Sequence, residues 1–345
     1  MDIDYIIVGF GLAGLAFVEE LEKKGKTYII FENESQNSSK VAAGMYNPVV
    51  LKRFTPVWNG NEQLKVALAF FKEIEKRHNR TYLYDVPIYR VFKSIEEQNN
   101  WFAACDKPKL AAYMSTTLIP NNKKEVLAPF GFGELLHTGR LDVNSLLYNY
   151  QKKLILKNKL IKETFNYATL EILETSVRYK NVNARHLVFC EGFGLKDNPF
   201  FNYLPMNEAK GELITIHAPS LKVEYLIKAA LFVLPLGNDL YKVGATFNWK
   251  DKTQKPTEKG REELIKKLEA TINTTYKIVD HVAGIRPTVK DRRPLIGIHP
   301  KYKQLAILNG LGTRGVMIAP TVAKQLYANI ENKVPLHKEI DIKRF

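Results

Sequence analysis

This sequence has few cysteines, fewer acidic than basic residues and no long apolar run. Its two cysteines, Cys105 and Cys190, exclude a disulfide framework, a four-cysteine zinc site and a C-x-x-C redox pair. No apolar run approaches the ~20 residues that a membrane-spanning helix needs, and the N-terminus lacks the basic and apolar regions of a secretory signal. We therefore expect a cytoplasmic protein in a reducing environment, with no membrane span and no metal site.

The shortage of acidic residues leaves a strongly basic chain. Lys and Arg number 51 against 36 Asp and Glu, so the net charge is +15. Such a charge attracts phosphates and anionic surfaces, although the basic clusters are interleaved with apolar and acidic residues, and a scattered, solvated charge is the alternative interpretation. The composition is otherwise globular, and 345 residues suggest about two domains.

The start of the chain has the pattern of a dinucleotide-binding unit. A short apolar strand at 4–8 precedes three glycines in G-x-G-x-x-G spacing, a helix and a second strand that ends at Glu32. Gly9 permits the tight turn, Gly11 lets the backbone approach a pyrophosphate, and Gly14 lets the helix lie against the strand. Glu32 is placed to accept hydrogen bonds from the adenosine ribose and to repel a 2′-phosphate. This unit alone does not distinguish FAD from NAD.

The later part of the chain predicts a second domain of a different type. Strand-like segments occur at 212–216, 231–235 and 241–246, and the turn residues 237–239 join the last two as a hairpin. Hairpin-linked strands form an antiparallel sheet, here set between segments of the parallel α/β layer. The sequence therefore predicts an antiparallel domain inserted into the dinucleotide-binding one.

Short motifs along the rest of the chain carry a family resemblance. They are AAGM at 42–45, GRLD at 139–142, KGE at 210–212, VGAT at 243–246, AGIRP at 283–287 and GLGTRG at 310–315. With the N-terminal fingerprint, these motifs in this order resemble the D-amino-acid oxidase superfamily of flavoproteins, especially its glycine oxidase and sarcosine oxidase branch. The resemblance covers nearly the whole chain.

The resemblance implies an α/β fold with a Rossmann-like FAD-binding domain and an inserted, largely antiparallel β-sheet substrate domain. The expected boundaries are 1–85, 137–205 and 278–345 for the FAD-binding domain, and 86–136 and 206–277 for the substrate domain. It also implies FAD as the cofactor, bound non-covalently because no cysteine follows Cys190. The cofactor-binding residues that it implies are Gly9, Gly11, Gly14 and Glu32 for the ADP half, Ala42, Ala43, Gly44 and Met45 along the flavin ring, Gly192 near the nucleotide, and Gly312, Thr313, Arg314 and Gly315 at the flavin N1/O2 edge.

The resemblance further implies oxidation of a carbon–nitrogen bond, with hydride transfer to flavin N5 and hydrolysis of the imine. Arg286 matches the arginine that grips the carboxylate of a small amine or amino-acid substrate, and a structural ion pair is its alternative role. The candidates for an active-site aromatic residue are Tyr46, Tyr241 and Phe247. Glu191, where the family has a small residue, is predicted either to touch a ribose or to face solvent.

Other functions remain open at this point. The main alternative is oxidation of a wobble-uridine side chain in tRNA, as in the flavin domain of the tRNA-modification enzyme of the same superfamily, since a charge of +15 suits a polyanion. A pyridine-nucleotide dehydrogenase would share the opening fingerprint but not the late motifs. A flavin disulfide reductase would need a redox dithiol, which this sequence lacks.

Overall fold

The computed structural model describes residues 1–345. In chain order, its strands are β1 (Asp2–Val8), β2 (Tyr28–Phe31), β3 (Met45–Tyr46), β4 (Val49–Val50), β5 (Thr55–Pro56), β6 (Leu83–Asp85), β7 (Ile88–Val91), β8 (Met114–Ile119), β9 (Phe132–Leu135), β10 (Gly139–Leu141), β11 (Leu160–Ile161), β12 (Leu170–Ile172), β13 (Val177–Tyr179), β14 (Val182–Phe189), β15 (Ala209–His217), β16 (Leu226–Lys228), β17 (Phe232–Gly237), β18 (Leu240–Gly244), β19 (Lys277–Arg286), β20 (Leu295–Ile298) and β21 (Leu305–Asn309). The helices are α1 (Leu12–Lys23), α2 (Ser38–Val41), α3 (Gly60–His78), α4 (Ile95–Cys105), α5 (Val143–Leu156), α6 (Glu258–Glu269) and α7 (Gly315–Asn332), with 3₁₀ turns at Tyr167–Thr169, Gly192–Asp197 and Ile342–Arg344.

The chain folds into two compact units. Unit 1 comprises residues 1–42, 143–209 and 285–345, and unit 2 comprises residues 43–142 and 210–284. Unit 2 therefore includes residues 43–85, 137–142 and 278–284, which the sequence assigned to the FAD-binding domain, and unit 1 includes residues 206–209, which it assigned to the substrate domain. The reason is strand pairing, because β3 and β6 both pair with β10, and β19 joins the large sheet of unit 2.

Unit 1 is built on a sheet whose centre is parallel. The strand order is β11-β2-β1-β14-β13-β12, and β21 also pairs with β14 and with β20. The neighbours β2, β1, β14 and β21 run parallel. Tyr5, Ile6 and Ile7 of β1 are fully buried, as expected for a parallel strand whose two faces are both covered. The Rossmann-like domain that the sequence predicted is confirmed.

The parallel strands of unit 1 end in one row. Val8, the last residue of β1, pairs with Phe31 of β2 and Phe189 of β14. The segments that follow these strands therefore meet at one edge of the sheet, beginning with Gly9, Glu32 and Cys190. The carboxyl edge of an open α/β sheet is where such folds bind nucleotides.

Unit 2 is built on a sheet of order β19-β15-β18-β17-β16-β7-β9-β8. From β15 to β8, neighbouring strands run antiparallel except β16 and β7, which are parallel. One face packs on a core that includes Leu264 and Leu268 of α6. The predicted hairpin is present between β17 and β18, with Asn238 and Asp239 at φ values of 52° and 58°, the left-handed region that hairpin turns use.

The cysteines and the helices bear on two expectations from the sequence. Cys105 and Cys190 are both buried and form no disulfide. None of the helices combines the length and the apolar character that crossing a bilayer requires.

Candidate functional site

The glycine turn after β1 is packed too closely for side chains. Gly9 has a φ of 94°, and a Cβ atom built on it would lie 2.6 Å from the carbonyl oxygen of Cys190. A Cβ atom on Gly14 would lie 2.2 Å from the carbonyl oxygen of Gly9. The turn can therefore bring α1 against the strand only because both positions are glycine. A backbone cradle at a helix N-terminus fits the diphosphate of a dinucleotide.

Glu32 lies beside this turn and already holds part of it. Its two carboxylate oxygens accept the backbone N–H groups of Phe10 and Glu34, the latter at 2.5 Å. Burial raises the pKa of Glu32, and these two hydrogen bonds oppose the shift. A carboxylate has about four acceptor positions, so both oxygens retain capacity for ribose hydroxyl groups. The side chain thus fits the ribose-binding role that the sequence predicted.

Ser39 is a residue of this site that sequence reasoning missed. Its hydroxyl oxygen accepts the N–H of Leu12, the first residue of α1, at 3.2 Å. The same oxygen lies 3.0 Å from the Cβ position of Gly11. Ser39 therefore lies over the start of the helix, where a hydroxyl group can also donate to an anion. The signal in the sequence was a pair of serines just before the small-residue segment at 42–45.

Replacing Glu32 tests the ribose assignment. Glu32→Ala is expected to weaken FAD binding by about 1–3 kcal/mol, because it removes charge-assisted hydrogen bonds. Titration of the apoprotein with FAD, followed by flavin fluorescence, measures the change. Glu34→Ala is the matched control, since Glu34 is an exposed carboxylate that pairs with Lys40 and Lys162. Unchanged FAD affinity in Glu32→Ala would show that the ribose assignment is wrong.

Glu191 does not face solvent, because its side chain is only 9% exposed and its carboxylate accepts hydrogen bonds within the protein, so contact with a ribose stays a prediction. Its oxygens accept the hydroxyl of Tyr167 and the side-chain amide of Asn198, the latter at 2.7 Å. Gly192, next in the chain, has a φ of 56°, and its carbonyl accepts the side-chain amide of Asn309 at 2.9 Å.

The late glycine-rich turn is joined to the segment that follows Arg286. The N–H of Gly312 donates to the carbonyl of Pro287 at 3.1 Å, and Gly312 has a φ of 59°. At the start of α7, the N–H groups of Met317 and Ile318 donate to the carbonyl of Arg314. The two amides before them belong to the first helical turn and have no acceptor within the helix. They belong to Gly315, which the sequence assigned to the flavin edge, and to Val316, which it did not. Of the other assigned residues, Gly312 and Arg314 donate their N–H groups to carbonyls of the protein, that of Arg314 to Leu311 at 3.3 Å.

Two arginines of unit 1 lie in desolvated surroundings. Burial lowers the pKa of Arg286 to about 10. Burial also lowers the pKa of Arg314, and the nearby charge of Arg292 adds to that shift. Both guanidinium groups remain protonated at neutral pH. A half-buried guanidinium gives a strong two-point grip on a carboxylate.

The small-residue loop at 42–45 is shaped by a single glycine. Gly44 has a φ of 70°, and its carbonyl accepts the N–H of Leu141 at 2.9 Å. Met45 then pairs with Arg140 in the ladder between β3 and β10. Ala43 is half-buried and Ala42 is exposed. The loop backbone is therefore fixed, while its small side chains leave it accessible to a flat ligand.

The three aromatic candidates differ sharply in exposure. Tyr241 is 3% exposed and belongs to the hydrophobic core of unit 2, which removes it as an active-site residue. Tyr46 is also buried, and its hydroxyl lies 3.3 Å from Asp85. Phe247 is 58% exposed. It is the candidate whose side chain remains accessible.

The KGE motif has a structural role in unit 2. Lys210 is fully buried and its ammonium group lies 2.5 Å from a carboxylate oxygen of Asp251. Glu212 accepts the backbone N–H of Thr257, the N-cap of α6, at 2.8 Å and its hydroxyl at the same distance. His281 places its Nε2 atom 2.9 Å from Glu212. These contacts anchor the segment between β18 and α6.

The structure and sequence are similar to those of known enzymes. Glycine oxidase from Bacillus licheniformis is 22% identical over 347 residues, covering 94% of this chain and 91% of that protein. Glycine oxidase from Bacillus subtilis (strain 168) is 28% identical over 160 residues, which is 44% of this chain and 43% of that protein, less than half of its length. The crystal structure of glycine oxidase from Bacillus cereus superposes with a TM-score of 0.80 at 17% identity and covers 96% of both chains.

A family model confirms the family that the motifs predicted. The model described as DAO, FAD dependent oxidoreductase, matches residues 4–328. This span contains the N-terminal fingerprint, the AGIRP motif and the late glycine-rich turn. The protein therefore belongs to the DAO family of FAD dependent oxidoreductases, and FAD is its cofactor.

Proposed function

We propose that this enzyme oxidises the carbon–nitrogen bond of a small amine or amino acid that carries a carboxylate. The observation that supports this function best is the position of Arg286. It is a desolvated guanidinium one residue before Pro287, whose carbonyl accepts the N–H of Gly312. A carboxylate-binding group and the turn assigned to the flavin edge are thus joined by one short connection. The similarity to glycine oxidases supports the same substrate class.

Separate residues of this chain would bind the cofactor and hold the substrate. The turn at 9–14, Glu32 and Ser39 would hold the ADP half of FAD. The amides at the start of α7 would stabilise negative charge at the flavin edge, as helix N-termini do. Arg286 would bind both carboxylate oxygens of the substrate and so fix the orientation of its Cα–H bond. The chemistry that FAD supplies when bound is two-electron oxidation by hydride uptake.

Orientation is expected to supply most of the rate. A substrate held at its carboxylate has little freedom to turn its reacting bond away, and such positioning replaces a costly encounter by a unimolecular step. The oxidised substrate is an imine, which water hydrolyses after release. No protein side chain is required as a general base in this scheme. The proposal therefore assigns Arg286 a binding role and assigns no proton transfer to His281 or His299.

An anaerobic substrate panel tests the proposed function. Glycine, sarcosine, proline and D-amino acids are mixed separately with the protein, and modified tRNA is mixed in a further sample, while the visible flavin band is followed. Bleaching by a free amino acid is the expected result. Bleaching by tRNA alone would instead support the alternative that rests on the +15 charge. That alternative is less well supported, because the relative matched along 94% of this chain is a glycine oxidase.

Non-covalent attachment of FAD is a separate prediction. Both cysteines are buried, and burial raises the pKa of the Cys190 thiol, which makes it a poor nucleophile. Acid or heat precipitation of the yellow holoprotein is expected to release all of the flavin into the supernatant, where its absorbance is measured. Flavin that stays with the denatured protein would contradict the prediction.

A further inference from the structure

The side chain of Glu191 is a buried acid that the proposed reaction does not use. It follows β14 at the same sheet edge as the fingerprint turn, and its Cα atom lies 3.3 Å from the Cβ position of Gly9. Glu32 lies on the other side of that turn, after β2. The proposed dinucleotide site is therefore flanked by two carboxyl groups that follow the strands on either side of β1.

The surroundings of Glu191 bring its pKa close to neutral pH. Burial raises the pKa of Glu191 to about 7, while the hydrogen bonds from Tyr167 and Asn198 oppose that shift and the charge of Asp197 adds to it. The adjacent Cys190 thiol is neutral, because burial raises its pKa. No cation is among the groups that act on this carboxyl group. Its charge is therefore balanced by only two hydrogen-bond donors.

We propose that Glu191 is a proton-coupled part of the cofactor site and takes up one proton from solvent when FAD binds. The diphosphate of FAD brings negative charge to the turn that the Glu191 backbone contacts, and a nearby anion disfavours a second one. The carboxylate accepts the proton and becomes a neutral carboxylic acid. Tyr167 and Asn198 retain hydrogen-bond contact with it, because a carboxylic acid keeps acceptor capacity.

The sign of the pH dependence follows from this coupling. FAD binds the protonated form more tightly, so its affinity is constant below the pKa of Glu191 in the apoprotein, about 7. Above that pH the dissociation constant of FAD increases, by at most about tenfold per pH unit for one proton. It becomes constant again above the pKa of the complex. Burial raises the pKa of Glu32 as well. Its contribution to the pH dependence of FAD binding must therefore be separated from that of Glu191 by mutation.

Calorimetric titration of the apoprotein with FAD, in two buffers of different ionisation enthalpy, measures the protons taken up. The wild type is expected to take up a fraction of a proton approaching one between about pH 7 and 8. Glu191→Gln should lose this uptake and flatten the pH dependence of the FAD dissociation constant. The matched control is Glu171→Gln. It removes an exposed carboxylate on β12 that pairs with Arg178 on β13, and it should behave as the wild type.

A second variant keeps the test valid if Glu191→Gln does not fold. Tyr167→Phe removes a hydrogen bond to the ionised form, so it should move the onset of the pH dependence upward by about one pH unit. Proton uptake that persists in Glu191→Gln, or an onset that does not move in Tyr167→Phe, would overturn the proposal, as would uptake that disappears only in Glu32→Gln. The inference rests on the dinucleotide lying at the Gly9 turn. That assumption fails separately, through unchanged FAD affinity in Glu32→Ala.

Discussion

Arg286→Met is expected to abolish flavin reduction by carboxylate-bearing amines while FAD stays bound. Methionine keeps much of the side-chain volume but removes the charge and both donors that would bind the substrate carboxylate. Loss of a charge-assisted, two-point contact of this kind costs about 3–5 kcal/mol, or a factor of about 160 to 5,000. Arg286→Lys should keep the charge but lose the two-point geometry, so KM should rise strongly while reduction at saturation persists.

Stopped-flow reduction under anaerobic conditions separates these effects, because it gives the substrate affinity and the limiting reduction rate independently. Arg178→Met is the matched control, since Arg178 is an exposed arginine of the same unit that pairs with the exposed Glu171. It should reduce as the wild type does, and all three variants should retain the flavin spectrum. Equal reduction of Arg286→Met and wild type by the same amine would show that Arg286 does not bind the substrate carboxylate.

Gly14→Ala is expected to prevent stable folding of unit 1 around the cofactor. The added methyl group would lie 2.2 Å from the carbonyl oxygen of Gly9, and a backbone atom cannot rotate away as a side chain can. Relieving this contact requires α1 to move from β1, at a cost of about 3 kcal/mol or more. Thermal unfolding of the apoprotein and FAD titration measure the two consequences, a lowered melting temperature and lost binding.

Two other glycines provide matched comparisons for Gly14→Ala. Gly25 lies two residues after the end of α1 and has a φ of 64°. No atom lies within 4 Å of its Cβ position. Gly25→Ala should therefore cost only about 1 kcal/mol for the left-handed backbone and leave FAD binding intact. In Gly11→Ala the methyl group meets the rotatable hydroxyl of Ser39 at 3.0 Å, so the fold should survive while FAD affinity falls. A fully stable Gly14→Ala protein that binds FAD normally would contradict the role given to close packing.

The sequence by itself determined the features that depend on local backbone patterns. The G-x-G-x-x-G spacing, the strands around it and Glu32 lie within one supersecondary unit, so their arrangement follows from short-range geometry. The hairpin at 237–239 is local for the same reason. The order of the motifs along the chain then indicated the family, because glycine and arginine positions in tight turns have few substitutes.

Only the tertiary structure decided the roles that depend on contacts between distant segments. Glu191 is buried because the Tyr167 hydroxyl, 24 residues away, reaches its carboxylate, and no local pattern shows that contact. Tyr241 belongs to a hydrophobic core because its strand turns that face toward α6. Glu212 binds Thr257, the N-cap residue of α6, from 45 residues away. Burial and hydrogen bonding are properties of the packed sheet, where segments far apart in the chain become neighbours, so composition and spacing could not specify them.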